Sequence, residues 1–279
     1  MVMKRHKRIA ASATTYILLI SALVWTIFPV YWMIKSSITV NSEMYVARPS
    51  LIAKHYTFEN YVDLFTKTEF PRALLNSLMI AFLTTVCCLL ISILGSYAMT
   101  RLKYPGRRFF KTSIIFSYLI PTAVLFVPMY VFVSKLGFYD NKWALLIIYP
   151  TTVVPYCCYM LMSYFKAIPY ALEEAALIDG CTRMKSLRYI ITPIALPGIA
   201  VVATFAFTMS WNEYLYAMIM TTSPAQQTAV VAISSFKYAD SAIWGRIMAA
   251  SVLTSLPVTI IYIVAQAQLI SGKSDGSVK

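Results

Sequence analysis

Six stretches of this sequence contain no Asp, Glu, Lys or Arg: residues 9–34, 73–100, 112–134, 143–165, 189–212 and 247–272. Together they cover more than half of the chain. A helix needs about 20 apolar residues to cross a bilayer, and a tilted strand only about 9–11. Every one of the six exceeds the helical requirement. Stretches this long and apolar all round must satisfy their backbone hydrogen bonds internally, and a helix does so within one segment. The expected fold class is therefore all-α integral membrane, with six transmembrane helices. The composition agrees. Hydrophobic residues make up 59% and charged residues 13%, against about 45–50% and about 25% in soluble domains. A soluble enzyme, a disordered protein and a secreted disulfide scaffold are excluded. The longest interval between two windows, positions 35–72, is too short for a sizeable soluble domain.

Charge placement orients the helices. Six spans put both termini on one side. Lys4, Arg5, Lys7 and Arg8 precede the first window, and Arg101, Lys103, Arg107, Arg108 and Lys111 fill the second connection without an acid. Lys166, Arg183, Lys185 and Arg188 lie in the fourth connection, and Lys273 and Lys279 in the tail. The opposite face has fewer basic residues, spread over longer loops, and most of the acids. The positive-inside rule then predicts a cytoplasmic N-terminus and a cytoplasmic C-terminus. The net charge of +13 follows from this asymmetry and from anionic lipid. No nucleic-acid recognition module is present, so nucleic acid is not an expected partner.

The N-terminus imitates a signal peptide. Its apolar run, positions 9–34, is far longer than the usual h-region of about 7–15 residues. Pro29, Val30, Tyr31 and Trp32 continue it without a small-residue cleavage site. A retained first helix with an aromatic outer belt is expected. Four of the five cysteines form the adjacent pairs Cys87-Cys88 and Cys157-Cys158, and Cys181 stands alone. With no CxxC spacing they read as small buried apolar residues. His6 and His55 are isolated, so no metal site is expected. Gly272-Lys273-Ser274 lacks the first glycine of a phosphate-binding loop, since Ala267 occupies that place. No catalytic constellation is present.

Residues 166–197 differ from generic membrane helix. Pro169 suits a helix start, and Glu173 and Glu174 sit early, where the helix dipole favours acids. Leu172, Ala175, Ala176 and Asp179 share a face at i, i+3, i+4, i+7 spacing. Gly180 supplies the left-handed residue that ends a helix, and Thr182 caps a second short one with Met184, Leu187 and Ile191 as its apolar stripe. Pro193 and Pro197 then break or bend the chain into the fifth membrane helix. Two short helices with a glycine turn at the cytoplasmic membrane surface are expected. The small residues Ala175 and Ala176 would let another backbone approach. Physical reasoning alone leaves two readings open: docking of a partner, or an interfacial helix that meets only lipid.

The order Glu174-Ala175-Ala176, three residues, Gly180, nine residues, Ile190, one residue, Thr192-Pro193 resembles the EAA motif of ABC importer permeases, Glu-Ala-Ala-x3-Gly-x9-Ile-x-Leu-Pro. The departure is Thr192 in place of Leu. Other segments resemble the MalG-like carbohydrate branch of that family. They are Phe58-Glu59-Asn60-Tyr61, Asn76-Ser77, Ser96-Tyr97-Ala98-Met99-Thr100-Arg101, Tyr104-Pro105-Gly106-Arg107 and Trp211-Asn212-Glu213-Tyr214-Leu215. The tail from Gln268 to Lys279 also fits, although Lys273 and Asp275 are charged where that branch usually is not.

The resemblance implies a membrane-spanning subunit of a binding-protein-dependent importer. It divides the chain into a first transmembrane helix and outer loop (1–71), a type-1 permease core (72–268) and a cytoplasmic tail (269–279). The core's coupling segment, 166–193, lies between helices 4 and 5. That segment would contact the ATPase through Glu173, Glu174, Ala175, Ala176, Asp179, Gly180 and Pro193, with Glu174 pairing with a basic residue of the partner. ATP-driven closure of two such partners would rock the membrane helices from inward-facing to outward-facing. The implied partners are a homologous permease subunit, two nucleotide-binding subunits that hold ATP and Mg, an extracytoplasmic solute-binding protein, and the bilayer of a prokaryotic inner membrane. This chain would bind no cofactor. Asn76, Asn212 and Glu213 are candidates for the translocation path or the sister-subunit interface. The alternative for the last two is a helix-end polar cluster with Trp211 as interfacial anchor. Ser223, Pro224, Gln226 and Gln227 are candidate contacts for the binding protein. The implied cargo is a di- or oligosaccharide, the alternative another solute such as a glycerol phosphate. A self-contained secondary transporter would require intramembrane acids and inverted repeats, and the windows contain neither.

Overall fold

The computed structural model describes residues 2–46, 48–236 and 244–274. Among them every regular element is helical, and one antiparallel bridge pairs Thr39 with Tyr56. In chain order the helices are α1 (Val2–Ser37), α2 (Asn41–Met44), α3 (Glu59–Thr66) and α4 (Phe70–Arg101). Next come α5 (Arg107–Leu119), α6 (Thr122–Lys135), α7 (Ala144–Ala167) and α8 (Tyr170–Ile178). Then α9 (Arg183–Ser186), a π-helical turn (Leu187–Ile191) and α10 (Thr192–Ile194) lead into α11 (Leu196–Trp211). The last three are α12 (Leu215–Met220), α13 (Ala229–Ser235) and α14 (Trp244–Ser274).

Four helices are each long and apolar enough to cross a membrane: Thr14–Ser37 within α1, α4, α7, and Trp244–Gln266 within α14. The other two windows are bent pairs. The third breaks by 99° between α5 and α6, and the fifth by 82° between Arg183–Ile194 and α11. The fifth bend was expected from Pro193 and Pro197. The third was not, and its cause is local. Ile120 precedes Pro121 and is forced into an extended conformation, φ −71° and ψ 122°, because the proline ring disfavours helical geometry before it. By length and composition the described helices therefore supply four spans, or up to six if each bent pair is one.

The chain falls into two units. The first comprises residues 1–68 and 235–253. In it, buried Asn60 donates to Ser37 O at 3.0 Å and Thr39 O at 3.1 Å. Arg246 pairs with Asp63 at 2.9 Å. Gly245 packs on the Asn60 amide so closely that a Cβ would collide with it.

The second unit comprises residues 69–234 and 254–279. Its core is where α4, α7 and α11 meet, with Cys88, Cys157, Leu161, Phe165, Val202 and Ala206 buried together. Small residues bring these helices close, as is usual where apolar solvent supplies no hydrophobic drive. Ser96 donates to Cys158 O across α4 and α7 at 3.1 Å, and a Cβ on Gly198 would meet the Tyr164 ring at 2.5 Å. Cys88, Cys157 and Cys158 are buried as expected, but Cys87 faces outward. A second cluster joins α6, α7 and α12 through Val133, Leu145, Ile148, Tyr149, Tyr216 and Met220.

Candidate functional site

The segment 166–193 builds two short helices around a glycine turn. Pro169 precedes α8 with φ −58° and ψ 135°. At the other end Gly180 N bonds Leu177 O at 3.2 Å and Cys181 N bonds Ala176 O at 2.9 Å, the paired bonds of a Schellman cap. Gly180 has φ +83°, and no atom lies within 4 Å of where its Cβ would stand. The backbone angle, not crowding, calls for glycine. Thr182 Oγ1 then accepts from Lys185 N at 3.3 Å and caps α9.

The two glutamates have different surroundings. Glu174, Ala175, Asp179 and Gly180 are exposed, as are Leu172 and Ile178. Glu173 and Ala176 are buried. The shared small face expected at Ala175 and Ala176 is therefore split, and only Ala175 is open to a partner. Met184 is exposed while Leu187 and Ile191 are buried. Met184 therefore lies off the expected stripe, and a π-helical turn, Leu187–Ile191, follows α9. Pro193 begins α10.

Glu173 points into a polar cluster at the C-terminal ends of α4 and α7. Tyr97 Oη donates to Glu173 Oε1 at 2.5 Å. Arg101 Nε lies 3.8 Å from Oε2, and Arg183 Nη1 lies 3.9 Å from Oε1. Arg101 also donates to Phe165 O and, at 2.6 Å, to Ile168 O. Its guanidinium lies 4.2 Å over the Tyr170 ring, and Tyr170 Oη donates to Thr100 O at 2.7 Å. A cavity of about 890 Å³ opens beside the cluster, lined by Lys103, Arg107, Glu174 and Arg183 among others. In the sequence Arg101 stands as a topology charge and as the end of the Ser96–Arg101 segment that resembles the carbohydrate branch, with no role of its own. Its position immediately after a charge-free window was the available signal that it could be pulled inside.

The other candidates separate into two places. Asn76 does not join Asn212 and Glu213. It lies with the segment 221–228. Its Nδ2 donates to Ala225 O at 3.1 Å and Gln227 O at 3.0 Å, and its Oδ1 accepts from Lys142 Nζ at 2.7 Å. Ser77 Oγ accepts from Ala229 N at 2.8 Å. Ser223, Pro224, Ala225 and Gln226 form a turn closed by Gln226 N to Ser223 O at 2.9 Å, with proline at its favoured second position. Gln226 Oε1 accepts from Lys142 N at 3.3 Å, and Gln227 Nε2 donates to Thr222 O at 3.3 Å. Asp140 accepts from the Ser223 hydroxyl and, at 2.8 Å, from Ser223 N. These bonds stabilise the carboxylate and hold its pKa below the ordinary value.

Asn212 ends α11 and is exposed. Glu213 turns back to cap α12, accepting from Tyr216 N at 3.0 Å and Ala217 N at 3.1 Å. Trp211 is not an interfacial anchor. It is 2% exposed, its Nε1 donates to Thr254 O at 3.1 Å, and its ring stacks on Phe207. Gln266 is exposed. The side chains of Lys4, Arg5, Lys7 and Arg8, and of the tail from Gln268 onward, lie outside the described residues. Among the described residues no three His, Cys, Asp or Glu gather where a metal could bind. His55 pairs with Glu43 at 2.6 Å.

Residues 89–273 match the family described as "Binding-protein-dependent transport system inner membrane component". The chain is 35% identical to "Inner membrane ABC transporter permease protein YcjP" of Escherichia coli (strain K12), across 99% of this chain and 100% of that one. It is 31% identical to "Trehalose transport system permease protein SugB" of Mycobacterium tuberculosis, across 96% and 99% of the two chains. Among solved structures it resembles a chain of a bacterial ABC transporter involved in import of the acidic polysaccharide alginate. That match has a TM-score of 0.81 at 22% identity and covers 94% of this chain and 97% of the other.

Proposed function

The chain belongs to the family of binding-protein-dependent transport system inner membrane components and is a permease subunit of an ABC importer, and from that premise we propose that its cargo is a di- or oligosaccharide. Trehalose in the name of the mycobacterial relative supports a sugar. In this reading both bent pairs act as spans, six helices cross the membrane, and both termini are cytoplasmic. A sister permease completes the path, a solute-binding protein delivers the sugar to segment 221–228, and two separate ATPase subunits carry ATP and Mg. This chain contributes no catalytic group.

The observation that carries the reading is the edge of α8. Glu174, Ala175, Asp179 and Gly180 stand exposed on a helix whose buried side is fixed by Glu173 and Ala176. Exposed Ile178, at 85%, adds an apolar side chain that a cleft in a partner would cover. Glu174 offers that partner a charge.

The test is to purify the tagged chain from its native membrane, identify what accompanies it, and measure uptake by the complex. A second permease and an ATPase should copurify, and uptake should require ATP. Glu174→Lys should lower uptake by about 30-fold or more, the scale of breaking a desolvated charge pair, at unchanged membrane abundance. Gly180→Pro should abolish it by removing the turn. Recovery of the chain alone in a state that transports without ATP, or normal uptake by both variants, overturns the reading.

A further inference from the structure

Docking through Glu174 does not account for Glu173. That side chain retains 5% of its exposure, and the Arg101 side chain retains none. A carboxylate withdrawn from water is costly unless partners hold it. The partners here come from different elements: Tyr97 and Arg101 from α4, and Arg183 from α9. Arg101 in turn grips the carbonyls of Phe165 and Ile168 at the end of α7. One charged cluster therefore ties α8 to both long helices beneath it.

The central pair is only partly made. Arg101 Nε stands 3.8 Å from Glu173 Oε2, whereas charge-assisted bonds close to about 2.7–2.9 Å. Arg101 Nε, Arg101 Nη1 and Glu173 Oε2 are buried and have no hydrogen-bond partner among the described residues. Buried polar groups in that condition favour any small shift that pairs them. A movement of α8 by about 1 Å would bring the ion pair to bonding distance. An apolar contact would hold α8 down equally well, but it would not define two discrete arrangements.

We propose that Glu173, Arg101 and Tyr97 are positioning residues that form a latch between α8 and the ends of α4 and α7, and that closure of the Arg101–Glu173 pair transmits displacement of α8 to those helices. The inference rests on the reading of α8 as the element that meets the ATPase. Adjacent glutamates then divide the work: Glu174 faces the partner, and Glu173 conveys the partner's push into the membrane helices. Glu173 touches neither substrate nor nucleotide.

The experiment uses the whole transporter in proteoliposomes and measures ATP hydrolysed per solute imported, with Glu173→Gln and Tyr97→Phe. Hydrolysis should persist within about twofold while uptake per ATP falls about tenfold. The double variant should be no worse than the worse single, because both act on one cluster. Spin labels at Lys103→Cys and at exposed Ala171→Cys on α8, with Cys87 and Cys181 changed to Ser, read the latch directly. The unmodified latch should give one narrow distance that shifts when nucleotide is trapped. Glu173→Gln should broaden it and remove the shift. If Glu173→Gln fails to assemble, Tyr97→Phe carries the test, since its ring packing is retained. Unchanged coupling and unchanged distances in the variants overturn the latch. Absence of ATP-driven uptake by the unmodified complex sinks the functional reading instead. The latch is then judged by whether Glu173→Gln broadens the resting label distance, and an unchanged distance overturns it.

Discussion

Asn76 uses both amide hydrogens and its oxygen to hold one loop. Asn76→Ala leaves two carbonyls and the Lys142 ammonium without those bonds, at a cost of about 1–3 kcal/mol. Amide exchange over residues 221–229 should therefore quicken by roughly tenfold or more. An unchanged rate would show that the turn holds itself. Asp140 fastens the same loop and adds a pH dependence. Its folded pKa lies below its ordinary value, held there first by the Ser223 hydroxyl and then by Ser223 N–H. Stability from such a group is present above the unfolded pKa and is lost as pH falls through the folded one. Proteolysis within 221–228 should rise as pH drops below about 4. In Asp140→Asn the loop should already be loosened at neutral pH and the acid step should disappear. A step of the same size in that variant would point to another carboxylate.

Among the elements, α8 has nine residues, too few to be stable as an isolated helix in water. Its ends and its buried face keep it formed. Gly180→Ala places a Cβ at φ +83° and should cost about 1 kcal/mol, whereas Gly180→Asn should cost less because asparagine tolerates that region. Thr182→Ala removes the cap of α9 and should cost about 1 kcal/mol. Amide exchange at residues 177–186 measures all three. Equal effects of Ala and Asn at 180 would contradict the backbone argument. The bends in the third and fifth windows belong here too. Helix-forming residues alone would run straight, and prolines at 121, 193 and 197 divert them.

For the chain taken together, the question is which loops share a side. If both bent pairs are spans, Cys181 and Ser223 lie on opposite faces. With Cys87→Ser in place, a membrane-impermeant maleimide should label Cys181 only in inverted vesicles. Ser223→Cys, with Cys181 removed, should be labelled in right-side-out vesicles. Labelling of both from one side would mean that a bent pair re-enters the membrane instead of crossing it. The apolar surface that the second unit leaves open, with Leu75, Phe82 and Leu90 at 60–66% exposure, fits a lipid environment. A soluble monomer seldom leaves such apolar area uncovered.

Local terms governed everything that could be read along the chain. Six charge-free runs made helices the way to satisfy backbone in lipid. Proline, glycine and threonine at 169, 180 and 182 marked the ends of α8 and α9, because caps depend on the few residues around them. Partnership was settled by packing. Glu173 and Glu174 are adjacent in the chain, and contact with α4 and α9 turned one inward to Tyr97, Arg101 and Arg183 and left the other exposed. Asn76 found its partners about 150 positions away, and Trp211 met the carbonyl of Thr254 on α14 instead of an interface. Hydrophobic runs identify which segments enter the membrane. Which polar side chains meet inside it depends on helix rotation and bending, which adjacent residues do not encode.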